Sequence, residues 1–97
     1  MINHELKIQP CYFNAILSGD KLFEIRRNND RGFQKGDTVT LRECDLGLIH
    51  TLYSGREINA EITYVTNYEQ KPEFVVFGIK NPELVTKPQS EVEARHA

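Results

Sequence analysis

Three ionic residues at close spacing carry the most chemistry in this chain: Lys21, Glu24 and Arg26, within Gly-Asp-Lys-Leu-Phe-Glu-Ile-Arg-Arg at positions 19–27. Apolar and charged residues alternate there, which sets Phe23 and Ile25 on one face of a strand and Glu24 and Arg26 on the other. Lys21 stands at the strand's entrance. Arginine is a planar fork that grips a phosphate or carboxylate through two hydrogen bonds, or stacks beneath a base. Lysine supplies a mobile point charge, and a carboxylate accepts hydrogen bonds from an exocyclic amine or ring N–H, as proteins do when they read a splayed base. The trio is a candidate ligand-binding cleft between the first helix and the second strand. Arg27, Asn29 and Arg31 follow closely enough to extend the contact. Tyr12 and Tyr53 are candidates to stack on a base, an interaction worth about 1–3 kcal/mol. The competing reading is an internal salt bridge, which on a surface contributes at most about 1 kcal/mol.

Composition narrows the ligand. The 97 residues carry a formal net charge of −2, which argues against strong, sequence-independent binding to duplex nucleic acid. From Asp20 to Asp37, five cations (Lys21, Arg26, Arg27, Arg31, Lys35) face four acids (Asp20, Glu24, Asp30, Asp37), a balance that suits a small polar ligand better than a long phosphate track. His4, His50 and His96 with Cys11 and Cys44 show no metal-ligand spacing, so no metal site is expected and the two thiols read as reduced. Gly47 and Gly55 are isolated and form no phosphate-binding loop, so no cofactor is implied. No apolar run approaches the roughly 20 residues that span a bilayer, and the start lacks a secretory pattern, so a cytoplasmic location without membrane contact is expected.

The elements that must position these residues are short. Residues 4–9 alternate as a first strand, with Leu6 and Ile8 on one face. Pro10 suits the first turn of a helix, where its missing N–H costs nothing. Phe13, Ile16 and Leu17 recur at helical spacing, and Gly19 fits the left-handed position after the last turn. Strands are expected over 21–27, 38–43, 56–66 and 73–80. Ile58, Ala60, Ile62 and Tyr64 share one face of the fourth. The fifth is apolar on both faces and is expected to be central and covered on both sides. Residues 45–55 read as a short strand plus a loop packed on the core, or else as an exposed patch for a protein partner. The fold expected is α+β: a small mixed β-barrel of five to six strands, with one helix after the first strand. Residues 1–82 form the domain, 83–97 a polar C-terminal tail, and the protein is expected to be a monomer.

The order of Gly19, Lys21, Glu24, Arg26 and Gly36-Asp37 resembles the ASCH domains of the PUA-like superfamily, whose hallmark is Gly-x-Lys-x-x-Glu-x-Arg on the strand after the first helix. The stretches that begin Phe23-Glu-Ile-Arg-Arg, Asp30-Arg-Gly-Phe, Leu41-Arg-Glu and Tyr53-Ser-Gly-Arg-Glu-Ile look like a bacterial and phage branch of unknown function. The likeness covers roughly residues 4–80 and implies a β-barrel with a cleft beside the first helix that takes RNA or a modified nucleotide. It also implies an alternative. Some small ASCH proteins are amidohydrolases acting on N4-acetylcytidine, using the motif lysine, a threonine and a glutamate from a helical insertion before the last strand. Lys21 matches the lysine, Glu24 stands where the threonine would, and only residues 67–72 separate the last two strands, so no catalytic residue is assigned.

Overall fold

The computed structural model describes residues 1–28, 31–46 and 51–86. The elements run β1 (Asn3–Ile8), α1 (Pro10–Leu17), β2 (Phe23–Arg27), β3 (Thr38–Leu46), β4 (Thr51–Thr66) and β5 (Phe74–Thr86). The strands form one sheet in the order β1-β3-β4-β5-β2, curled into a half-barrel. β1 pairs parallel with β3, while β3–β4, β4–β5 and β2–β5 are antiparallel. Among the described residues, no helix is long and apolar enough to cross a membrane.

Alternation fills the concave side. Leu6 and Ile8 of β1, Val39 and Leu41 of β3, Ile58, Ala60 and Ile62 of β4, and Val75, Phe77 and Ile79 of β5 point into one core. α1 closes it with Phe13 and Ile16, and Phe33 dips in from the β2–β3 connection. Each such large side chain contributes about 1.5–3 kcal/mol by leaving water. Leu17, expected on the same helix face, is exposed because this short helix seats only two residues on the sheet.

Four expectations are revised. Tyr64 does not share the inner face of β4. The register slips between Ile62 and Tyr64, and the extra residue turns Tyr64 outward and Val65 against the core. Of the short strand plus loop expected over 45–55, the strand is present but longer: residues 45–46 and 51–55 are the end of the β3–β4 hairpin, with Asp45 opposite Leu52 and Leu46 opposite Thr51; positions 47–50 lie outside the described residues. β5 lies between β4 and β2, but its outer face is less covered than its inner one: Phe74, under the Arg27 guanidinium, and Val76 remain part-exposed, whereas Val75, Phe77 and Ile79 are buried. It also runs on to Thr86, pairing Leu84 with Ile58, so residues 83–86 belong to the sheet; 87–97 lie outside the described residues.

Candidate functional site

The two edge strands, β1 and β2, are at opposite ends of the sheet, and the curl brings them face to face across a seam. Lys7, Ile8 and Gln9 form one bank, Phe23, Glu24, Ile25 and Arg26 the other, with Tyr12 of α1, Lys21 and Cys44 closing a cleft of about 600 Å³. Along the seam both strands turn backbone groups away from their partners. Asn28 N–H donates to the Glu73 carbonyl and Ile79 N–H to the Leu22 carbonyl. By alternation the main-chain groups of Glu24 and Arg26 also face β5, and those of Phe23 and Ile25 face the seam.

Local geometry explains why glycine, lysine, glutamate and arginine occur at these intervals. Gly19 takes φ +84°, which a glycine adopts without strain. The chain then folds back so that the N–H groups of Asp20 and Lys21 both donate to the Ala15 carbonyl, at 3.0 and 3.1 Å. Lys21 is thereby fixed under the helix end. Its ammonium donates to the Phe23 carbonyl at 2.9 Å and to Glu24 Oε2, and lies over the Tyr12 and Phe23 rings, 5.4 and 5.1 Å from their centroids. Glu24, opposite Phe77 in the β2–β5 pair, shares that residue's inward face and is 4% exposed. Arg26, two residues on, donates from Nε to Glu24 Oε1 at 2.9 Å and from Nη2 to the Lys7 carbonyl at 2.8 Å, crossing the seam. Arg31 makes a second crossing, from Nη1 to the Glu5 carbonyl at 3.2 Å.

The alternation of β2 is thus inverted with respect to hydrophobicity. Its ionic face is turned inward, while Phe23 and Ile25 are 42% and 53% exposed. A buried carboxylate needs charged or hydrogen-bonding partners to offset its lost hydration. Glu24 has two cations, which leaves the trio with one net positive charge at the corner of a cleft otherwise walled by Ile8, Phe23, Ile25, Tyr12 and Cys44.

Of the residues singled out from sequence, Tyr12, Lys21, Glu24 and Arg26 are brought together here. Arg31 lies on the seam. Arg27 lies outside the cleft lining, over the Phe74 ring and 3.5 Å from Glu73. Tyr53 is on the hairpin, opposite Cys44 and beneath the Arg42 guanidinium at 4.0 Å. Asn29 lies outside the described residues. Sequence reasoning missed Lys7, Ile8, Gln9 and Cys44, which reach the site only through the curl of the sheet and the parallel β1–β3 pairing.

Two further ionic clusters brace the frame. Asp37 accepts from Ile2 N–H, Gln34 N–H and His4 Nε2, the last at 2.9 Å, and the His4 bond chiefly holds its carboxyl below the usual range. Glu43 accepts from Arg56 Nε and Nη2 at 2.9 and 2.7 Å and from Ser54 Oγ at 2.5 Å; the Arg56 bonds chiefly lower its pKa and raise that of the guanidinium. Gly55, at φ +94°, lets β4 bulge there. Among the described residues every buried side-chain polar atom has a partner, and no cluster of His, Cys, Asp and Glu could hold a metal ion.

A small curled sheet with a cationic, apolar-walled cleft at its open seam defines the class of this protein. The chain belongs to the family described as Domain of unknown function (DUF3850), whose model matches residues 3–79. It is also similar to the "Uncharacterized 12.9 kDa protein in GpA 3'region" of Escherichia phage P2, with 39% identity over 64 residues, 66% of this chain. The match takes in 54% of the phage protein, so the chain spans about half the length of that relative.

Proposed function

We propose that this chain is a PUA-like barrel of the ASCH kind and that its seam cleft binds RNA or a modified nucleotide. One observation carries the reading: Lys21, Glu24 and Arg26 converge on a cleft of about 600 Å³ beside Tyr12, where they also pair with one another. That volume falls in the usual range for small-molecule sites, and apolar walls with a few fixed polar groups are their usual make-up. Arg26 and Lys21 supply the excess positive charge for a phosphate, Glu24 an acceptor for a base N–H, and the Tyr12 ring a stacking face. Binding is favoured over hydrolysis because the Lys21 ammonium donates to both Glu24 and the Phe23 carbonyl. A lysine so engaged serves as a fixed charge rather than a nucleophile.

The test is calorimetric titration with the four ribonucleoside 5′-monophosphates, N4-acetylcytidine and short RNA, for the parent and for Arg26→Ala. Removing a charge-assisted hydrogen bond should weaken binding by about 1.5–3 kcal/mol, roughly 10- to 150-fold. No binding by the parent, or equal binding by both proteins, ends this reading.

A further inference from the structure

Basic and aromatic residues continue out of the cleft in one direction. Lys7 lies on the cleft's β1 bank, and the parallel register sets Arg42 directly beside it on β3. Arg42 lies over the Tyr53 ring at 4.0 Å, with Nε 3.3 Å from Glu57. Tyr53 is opposite Cys44, itself part of the cleft lining. Lys21, Arg26, Lys7 and Arg42 thus form a short path that ends on a guanidinium stacked against a ring. Set against Glu24 and Glu57, these four cations leave a surplus of two positive charges.

Resting on the proposed nucleotide reading, we infer that Lys7, Arg42 and Tyr53 form a second contact point for a single-stranded oligonucleotide whose terminal or splayed residue occupies the cleft. Lys7 and Arg42 take the phosphates of the adjoining nucleotides, and the Arg42–Tyr53 pair offers a flat face for the next base. Stacking on an aromatic or guanidinium plane is tolerant of base identity, and phosphate contacts of this kind are salt-sensitive. Rigid double helix is a poor fit, since a base paired in a duplex cannot enter the cleft.

The experiment compares a mixed-sequence RNA hexanucleotide pool with the ribonucleoside monophosphate bound best by the parent, at two salt concentrations. The parent should bind the hexanucleotides at least tenfold more tightly than the monophosphate. Tyr53→Ala and Arg42→Gln should each remove about fivefold or more of that gain while leaving monophosphate affinity within twofold. Lys7→Ala should lower the slope of log affinity against log salt by about 0.7 for the oligonucleotide. Thermal melts identify any variant that is unfolded, and Lys7→Ala, on an exposed side chain, supplies a readout independent of the hairpin. Hexanucleotides binding no more tightly than the monophosphate, or a gain untouched in all three variants, overturns the second contact and leaves the cleft reading standing. Loss of monophosphate binding in Tyr53→Ala or Arg42→Gln places those residues in the cleft's own support and also overturns it. Failure of both probes on the parent overturns the cleft reading and this inference with it.

Discussion

At the scale of single residues, the ionic groups fall into two kinds. Asp37 and Glu43 are spent on holding the frame, and their carboxyl groups sit below the usual range for that reason. A carboxylate whose pKa is lowered on folding adds stability that is present above its unfolded value, near about pH 4. That stability is lost as pH falls through the lower folded value. Glu43→Gln should therefore cost about 2 kcal/mol at pH 7, less than a fully buried pair, because the Arg56 side chain is 36% exposed and can return to water. Urea unfolding of parent and variant from pH 7 to pH 2 should show the gap narrowing below about pH 4; a gap constant across that range would refute the assignment. Glu24, Lys21 and Arg26 are of the other kind, mutually paired yet set at the corner of an open cleft. Their convergence was legible in sequence, because alternation from Phe23 to Arg26 fixes which residues share a face. Which face turns inward was not legible: hydrophobicity alone would bury Phe23 and Ile25, and the two cations reverse it by making an inward Glu24 affordable.

At the scale of elements, the strands and the helix follow from period and punctuation, and the departures come from bulges. The slip between Ile62 and Tyr64 is matched on β5 by Gly78, opposite Tyr64. A Cβ at Gly78 would lie 2.6 Å from Thr63 Oγ1, so the strand carries glycine where the bulged threonine leans across. Gly78→Ala should destabilise the protein by about 1–3 kcal/mol through this overlap. Thr63→Ala removes the obstructing oxygen, so the double variant should recover most of the loss in a denaturation cycle. Additive costs would show that the glycine serves another purpose. Such slips are hard to read from a lone sequence, because the alternation of Ile58, Ala60, Ile62 and Tyr64 is unbroken and the shift arises only from what pairs opposite. The hairpin end at 45–46 and 51–53 was legible only as a short strand plus a loop, for a related reason. Leu46, Leu48, Ile49 and Leu52 have no firm period, and it is the cross-strand pairing that makes the hairpin.

At the scale of the whole molecule, the seam is the defining feature. The sheet order leaves β1 and β2 as edges, and arginine side chains, rather than a ladder of main-chain bonds, bridge them. The amides of Glu24 and Arg26, which face β5, should resist hydrogen exchange, whereas those of Lys7 and Ile25, which face the seam, should exchange far faster. Amide exchange followed by NMR gives the comparison directly. Equal protection of Ile25 and Glu24 would mean the barrel is closed by pairing and the cleft is not open as described. The sequence could announce a barrel-like set of strands, but not this order, since the β1–β3 and β2–β5 partnerships join segments more than thirty and more than forty residues apart.

That distance has a consequence for how the protein comes into being on the ribosome. The strand bearing Glu24 and Arg26 has no neighbour to lie against until the stretch from Phe74 to Gly78 has been synthesised. Until then its acid and its cations stay in water and Phe23 and Ile25 have no sheet to join. Newly made chains should acquire the β2–β5 pairing late and all at once, and a chain stalled before Phe74 should have none of it.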